Sequence, residues 1–305
     1  MRIIITGGTG MIGSRLAKNL AADGHDIIIL SRNPNKHSLP TGIRAEKWDA
    51  RTAAGWGYLA DGADAIVNLA GENISGSGFI PQRWTPDRKK RIQESRLFAG
   101  QAVTAAVAAA VHKPKVVIQA SGIDYYPAGE TLVNEESAPG SSFLGEVVTQ
   151  YWEPATADVT AMGVRRVVAR LGIVLSMEGG ALPITVLPYR FFVGGPLGNG
   201  RQWWSWVHID DAVAALRFFI ENEAANGAYN VVAPNPLTNK AFGKVIGKVL
   251  KRPSLIPVPA FALKLVLGEL AAIVLDGRKV SAQKLQALGF TCQYQEVETA
   301  LHDLL

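Results

Sequence analysis

Residues 1–13, Met-Arg-Ile-Ile-Ile-Thr-Gly-Gly-Thr-Gly-Met-Ile-Gly, constrain the fold more than any other stretch. A β-branched run, Ile3 to Thr6, breaks into glycines at Gly7, Gly8, Gly10 and Gly13. An amphipathic helical pattern follows in Met11, Ile12, Leu16, Ala17 and Leu20. Strand, tight turn and helix start come in the βαβ order that cradles a dinucleotide. Gly8 and Gly10 are expected to let the backbone turn and approach a pyrophosphate with no Cβ in the way. Gly13 is expected to let the helix pack closely on the strand. The helix N-terminus offers unpaired N–H groups and the positive end of its dipole to phosphates. The plainer alternative is a turn that binds nothing, and the flanking strand and helix weigh against it. Thr6, Gly7, Gly8, Thr9, Gly10, Met11, Ile12 and Gly13 are therefore candidate cofactor residues.

The first 175 residues alternate strand and helix. Strands are predicted at 2–6, 26–31, 44–48, 64–69, 115–120 and 165–171, with helices at 11–23, about 85–112 and about 142–162. Ile27 to Leu30, Ala65 to Val67 and Val116 to Ile118 are unbroken apolar runs, as strands covered on both faces should be. The fold class is α/β, a doubly wound parallel sheet. Beyond residue 175, glycine-rich turns at Gly179-Gly180, Gly194-Gly195 and Gly198-x-Gly200 mark loops. A helix from Asp210 to Glu223 and a strand near 228–232 rejoin the sheet. From Pro236 the pattern is mostly helical, broken at Pro253, Pro257 and Pro259. Residues 1–235 are read as the nucleotide-binding domain and 236–305 as a small C-terminal lobe over the cleft.

Of 305 residues, 48% are hydrophobic and 19% charged, which excludes a disordered chain and allows a sizeable core. One cysteine, Cys292, leaves no pair for a disulfide, a redox motif or a zinc site, and no metal is expected. The net charge of +5 fits a phosphate-holding site, and the basic run Arg88 to Arg91 reads as a solvated helix face, so no nucleic-acid partner is expected. Leu255 to Leu275 is largely apolar but carries prolines, Lys264 and Glu269. It suits a buried helix better than a spanning one, and no membrane partner is expected. A chain that opens on a core strand points to the cytoplasm, as a monomer or homodimer acting on a small molecule.

The second strand ends at Leu30-Ser31-Arg32. An NAD site wants Asp or Glu there for the adenosine ribose hydroxyls, and Asp26 lies at the wrong end. Ser31 and Arg32 offer a hydroxyl and a guanidinium fork suited to a 2′-phosphate, so NADP(H) is the expected cofactor. Leu69, Ala70, Gly71 and Glu72 close the fourth strand with small residues beside the cofactor path. From the long helix Arg83, Lys89 and Arg96 are expected to be able to reach cofactor or substrate phosphate, and Ser95 is the candidate hydroxyl there.

Thr6 to Gly13, Asn68-Leu69-Ala70-Gly71-Glu72, Ser121, Arg170-Leu171-Gly172, Gly198 to Gln202 and Trp206-Val207-His208-Ile209-Asp210-Asp211 together resemble the extended short-chain dehydrogenase/reductases. Asn73-Ile74, Arg83-Trp84-Thr85, Ser95-Arg96, Tyr125-Tyr126, Trp152-Glu153, Leu267-Gly268-Glu269 and Gly289-Phe290 resemble one atypical branch, the epimerase-family proteins often described as nucleoside-diphosphate-sugar epimerases or cell-division-inhibitor-like. The resemblance spans nearly the whole chain. It implies a Rossmann domain with NADP(H) and a C-terminal lobe of unassigned role.

The same resemblance exposes two departures. The family carries Tyr-x-x-x-Lys on one helix face, where the ammonium lowers the phenol pKa and binds the nicotinamide ribose. If Glu153 is the family's Glu four residues after that Lys, the Tyr position is Gly145 and the Lys position Thr149. Counting likewise puts Trp204 where sugar-nucleotide epimerases use an Arg on the diphosphate, with Arg201 nearby. For catalysis the expected residues are Ser121 at a strand end, Tyr126 as acid/base and Glu153. The competing readings are that the tyrosines merely pack and that Glu153 is a surface carboxylate. His208 reads as structural, with Asp210 and Asp211 as helix caps. The functional expectation is an NADP(H)-dependent oxidoreductase or epimerase on a small polar substrate. The alternative is a non-catalytic NADPH-responsive protein whose lobe contacts a partner.

Overall fold

The computed structural model describes residues 1–36, 39–76, 78 and 81–305. Seven parallel strands make one sheet: β1 (Arg2–Thr6), β2 (Asp26–Ser31), β3 (Ile43–Lys47), β4 (Ala65–Asn68), β5 (Val116–Gly122), β6 (Arg165–Leu171) and β7 (Gly227–Val231). Their order is β7-β6-β5-β4-β1-β2-β3. The chain walks outward from β1 to β3 and then crosses back to β4, so the order reverses between β1 and β4. Thr6 pairs with Leu30 on one side and Asn68 on the other, which brings three strand ends level at that reversal. Ligands bind in such crevices. This is the Rossmann-like architecture expected from the alternation.

Period-two alternation decides which side of the sheet each isoleucine serves. Ile3, Ile5, Ile27 and Ile29 pack with Leu16, Leu20, Ala212, Leu216 and Phe219, from helices α1 (Met11–Ala22) and α4 (Ile209–Glu221). Ile4, Ile28, Ile66 and Val117 face the other way, against Trp56 and the Ala99, Ala102, Val103, Ala106 stripe of α2 (Pro86–Ala109). Each fully buried isoleucine contributes about 1.5–3 kcal/mol. Thr85 caps α2 by accepting from the Arg88 N–H at 3.2 Å, and Pro86 occupies the first turn where its missing donor costs nothing. At the other end Lys113 reaches the carbonyls of Val107, Ala108 and Ala110.

The helix expected at 142–162 is broken. One α-turn (Phe143–Glu146) runs into a π-turn (Val147–Trp152) and then a 3₁₀ stretch (Pro154–Met162). Pro154 has no N–H to give and its ring crowds the preceding turn, so the α ladder cannot pass it. The widened turn just before it re-aims Trp152 and Glu153.

Beyond Val231 the lobe is helical, with α5 (Asn239–Leu250), α6 (Ala260–Leu267) and α7 (Val297–Leu304). It is stitched to the nucleotide-binding part by two-residue strands. Leu237–Thr238 pairs with Trp203–Trp204, and Lys279–Val280 with Leu132–Val133. The Leu255–Leu275 region is not one helix: Gly268, at φ +60°, ends α6 after eight residues. Among the described residues no helix is long and apolar enough to cross a membrane.

Candidate active site

The glycine turn sits at the β1–β4 reversal. Gly7 adopts φ +65°, and a Cβ on it would lie 2.9 Å from the Leu69 carbonyl. The positive-φ turn is therefore at Gly7, and not at Gly8 or Gly10 as the spacing had suggested. A Cβ on Gly13 would run into the Gly7 carbonyl, so α1 packs on the turn only because that position is glycine. Thr6 is fully buried. Its hydroxyl donates to Asn68 Oδ1 at 2.6 Å and accepts the N–H groups of Leu69 and Ala70, both at 3.1 Å. Asn68 passes the chain on to Gln119 at 2.9 Å. This buried ladder fixes the Leu69–Gly71 backbone opposite the glycine turn.

Between them lies a cleft of about 400 Å³. Of the expected cofactor residues Gly7, Thr9, Gly10, Ser31, Arg32, Leu69, Ala70, Gly71, Glu72 and Ser95 line it. Thr6, Gly8, Met11, Ile12 and Gly13 do not; they support it from behind. Ser31 is buried and accepts the Asn33 N–H at 3.2 Å, holding the turn after β2. Ser95 accepts the Glu72 N–H at 2.9 Å and donates to the Ile92 carbonyl, so its hydroxyl holds the loop in place. Five lining residues were not among the expected ones: Leu30, Asn33, Lys36, Trp48 and Ala50. Lys36, four residues past Arg32, was the findable one. Both cations are exposed, and among the described residues neither has an ion-pair partner. Trp48 is far along the chain and reaches the cleft only because β3 lies beside β2.

At the C-terminal ends of β5 and β6 the side chains close on one another. Ser121 donates to Glu153 Oε1 at 2.7 Å. Arg170 grips both Glu153 oxygens, at 2.8 and 3.0 Å, and donates to the Tyr126 hydroxyl at 3.0 Å. Tyr126 in turn donates to Asn230 Oδ1 at 2.7 Å. The structure thus unites all three expected catalytic residues, but Tyr126 is fully buried with its hydroxyl spent on both sides. Burial pushes its phenol above the usual tyrosine range, against the pull of Arg170. That placement does not fit the expected acid/base role: a proton held there has no open path. Burial alone would depress the Arg170 guanidinium, and Glu153 more than offsets it. Glu153 is no surface carboxylate.

The position aligned with the family's tyrosine cannot hold a side chain, since a Cβ on Gly145 would sit 2.7 Å from the Gly140 carbonyl. Thr149, at the lysine position, turns its hydroxyl onto the Gly145 carbonyl at 2.9 Å. Trp204, at the position of the expected diphosphate arginine, is a core residue packed on Phe242 at 4.9 Å. Arg201 lies against Glu130 at 3.2 Å.

Two further groups join this region: Arg96, one of the cations expected to reach from the long helix, and Asp124, which the sequence reading missed. Arg96, nearly buried, lays its guanidinium over Trp152 at 4.5 Å and donates to the carbonyls of Glu72 and Ile92, both at 3.1 Å. It lies so close to Gly71 that a Cβ there would be 3.2 Å from its central carbon. Burial pulls it down to about 10, against the charges of Asp124 and Glu72. Asp124, half-buried, meets Arg278 at 3.2 Å. Burial raises its carboxyl despite Arg278 and Arg96, and Asp276 adds to the rise. Asp276 and Gly277 line a second cleft of about 440 Å³ together with Glu130, Asn199, Arg201 and Trp203. Asp124 lines neither cleft, but its charge is coupled to Arg96, which packs on the Gly71 wall of the first, and to Asp276, which lines the second.

His208 is buried, and its Nδ1 accepts the Asp210 N–H at 3.1 Å, so the histidine itself caps α4. Asp211, expected as a cap, instead accepts the N–H groups of Gln293 and Tyr294 at 2.7 and 2.9 Å. Cys292 is buried and its thiol is pushed up to about 12, which leaves it inert as a nucleophile.

A parallel sheet, a glycine cradle at its switch point and a helical C-terminal region define an atypical extended short-chain dehydrogenase/reductase. The chain belongs to the NAD dependent epimerase/dehydratase family, whose model matches residues 3–153 and 176–232. Residues 258–304 match a domain of unknown function, DUF1731. The chain is 39% identical to "Epimerase family protein SH2119" of Staphylococcus haemolyticus over 306 residues, covering 100% of this chain and 99% of the relative. It is 38% identical to "Epimerase family protein YfhF" of Bacillus subtilis, covering 100% and 98%. Among solved structures, human epimerase family protein SDR39U1 (isoform 2) with NADPH superposes with a TM-score of 0.88 at 34% identity, covering 100% of this chain and 99% of that one.

Proposed function

We propose that the protein is an NADP(H)-dependent oxidoreductase or epimerase acting on a small polar substrate held in the second cleft. The observation that carries this reading is the pair of free cations, Arg32 and Lys36, at the end of β2 where an NAD site would present a carboxylate. The backbone from Gly7 to Gly10 and at Gly71 suits a pyrophosphate, because the glycines Gly7, Gly10 and Gly71 present no Cβ to the cleft they line. The human relative solved with NADPH supports the same cofactor. Bound there, the dinucleotide would supply a hydride donor or acceptor.

The proton is assigned to Asp124. It sits among charged neighbours of both clefts, it keeps partial access to solvent, and burial raises its carboxyl so that it holds a proton more readily than an ordinary aspartate. Ser121, Glu153, Arg170 and Tyr126 form the brace beneath it, with Tyr126 holding Arg170 instead of handling protons. Arg96 and Arg278 flank the reacting position as fixed cations. Trp203 and the Arg201–Glu130 pair form the wall that meets the substrate.

Two measurements test the reading. NADPH should bind at least about tenfold tighter than NADH, and Arg32→Asp should erase that preference through loss of a charge-assisted phosphate contact. Equal affinities in the native protein would overturn the cofactor assignment. For the chemistry, Asp124→Asn should abolish NADPH oxidation over a panel of aldehydes and ketones while NADPH affinity stays unchanged. In the reductive direction the native rate should fall as pH rises through the raised Asp124 pKa, because only the protonated carboxyl can donate. A native-like rate in Asp124→Asn removes it from the mechanism.

A second reading has its own observation: neither the Gly145 nor the Thr149 position can supply the family's chemistry. If no carbonyl compound is reduced and NADPH still binds, the protein is a cofactor-responsive binder.

A further inference from the structure

Charge and apolarity are distributed unevenly over the molecule. Residues 179–209 and 224–268 contain eight of the chain's 31 basic residues and none of its 26 acidic ones. These two acid-free stretches interlock. Leu255 and Ile256 both donate to the Gly194 carbonyl, Val258 donates to Pro196, and Leu182, Val186 and Tyr189 share a core with Phe242 and Ile246. The rest of the chain carries more acid than base, so the positive net charge belongs to this one region.

The same region holds most of the exposed apolar surface. Among the described residues thirteen large hydrophobic side chains are exposed, and nine of them lie here. Phe191, Phe192 and Val193 follow α3 (Leu182–Arg190), and Leu255 and Ile256 are bonded to the backbone beside them. Phe261, Leu265 and Val266 come from α6. Seven of its eight residues are apolar, yet none is buried, with Phe261 73% and Leu265 71% exposed. A helix of that composition alone in water has no folding reason to face solvent.

The cations of the same two stretches are exposed or half-buried, and one of them packs on the apolar surface directly. Arg190 precedes Phe191, and Arg252 lies over the Phe192 ring at 4.3 Å. Lys240, Lys244 and Lys248 form an exposed i, i+4 stripe on α5 that leads into Lys251, and Lys264 sits on α6. Arg201 pairs with Glu130 and Lys248 with Glu298. Among the described residues the other six cations of this region pair with no carboxylate.

We propose that this face docks on an anionic lipid bilayer. Charge complementarity selects the occupant: free cations beside exposed phenylalanine and aliphatic side chains match acidic headgroups over acyl chains. A second copy would bring like charges together. Nucleic acid would leave the leucine, isoleucine and valine side chains unused. The expectation of no membrane partner rested on the lack of a spanning segment, and a face lying on the surface needs none.

Co-sedimentation of the full chain with phosphatidylcholine vesicles, with and without phosphatidylglycerol, tests this independently of the cofactor reading. The protein should pellet with the anionic vesicles, stay in solution with the neutral ones, and lose binding at high salt. Lys251→Glu with Arg252→Glu should weaken partition at least about tenfold, and Phe191→Ser with Phe192→Ser should reduce it to the neutral-vesicle level. Lys251, Phe191 and Phe192 are exposed, Arg252 is half-buried at the surface, and all four lie outside the cofactor cleft, so NADPH affinity should stay as in the native chain. Equal partition into the two vesicle types, or none, overturns the proposal. So does a homodimer, or salt-sensitive retention on single-stranded DNA, that is lost in the same variants.

Discussion

The two ends of the active region are built on opposite principles. At the adenosine end the wall is backbone, the glycines keep it bare, and the cations Arg32 and Lys36 stand free in solvent. At the chemical end the wall is side chains, and the main charge is already engaged. Arg170 is committed to Glu153 and Tyr126, and Arg278 to Asp124 and the Tyr126 carbonyl. An open end of free donors suits a ligand that brings its own charge. A self-satisfied end suits a rigid platform on which one group, Asp124, stays perturbed. The difference teaches that the glycine cradle rests on local backbone geometry, whereas the Arg170 brace rests on a tertiary network.

That contrast can be broken at either end. The largest effect is expected from Gly13→Val, which would drive a branched side chain into the Gly7 carbonyl. Backbone cannot yield there, so the variant should lose about 3 kcal/mol or more and all NADPH binding, read by denaturant unfolding and titration. At the other end Arg170→Met should cost about 3–5 kcal/mol, because it strands the Glu153 carboxylate beneath the site. The double change Arg170→Met with Glu153→Met should recover most of that loss. If the single change is silent, the brace is not holding the chemical end. Arg32→Asp sits lower, a change of about 1.5–3 kcal/mol in NADPH affinity with no loss of stability.

The smallest effect lies away from both ends. His208 faces Asp210, Asp211, Asp303, Arg15 and the stacked ring of Tyr294, and burial holds its pKa below the ordinary histidine range. The unfolded chain therefore takes up this proton first as pH falls. Stability should be complete above about pH 6.5 and decline below it, by about 1 kcal/mol as the α4 cap is lost. His208→Asn should keep a cap and flatten that part of the profile.

The seven-strand sheet was legible because each strand announces itself locally. Ile3 to Thr6, Ile27 to Leu30 and Val116 to Ile118 are apolar runs bounded by turns, and their ends fell within a residue or two of the prediction. The helix at 142–162 was not legible as it stands, since periodicity does not register a π-turn ahead of Pro154. In the cleft, Arg32 was readable from its place after β2, and Lys36 could have been. Arg96 was readable as a cation on the long helix, but Trp48, Asp124 and Arg278 were hidden, because their places come from distant parts of the chain, as with Asp124 and Arg278, which meet across 154 residues. Tyr126 is the instructive error. Its chain position suggested a reactive phenol, and Asn230 and Arg170 turned it into a buried strut.

By itself the sequence determined the sheet, the glycine cradle, the lack of a ribose-binding acid and the loss of the Tyr-x-x-x-Lys pair. All of these are local patterns, set by backbone freedom at Gly7 and Gly13 and by period-two burial in the strands. Only the tertiary structure decided that Ser121, Glu153, Arg170 and Tyr126 form one buried network and that Asp124 meets Arg278. Only it joined the acid-free stretches into one apolar, cationic face. Burial and proximity set a side chain's charge state and availability, and both depend on what the rest of the chain brings alongside it.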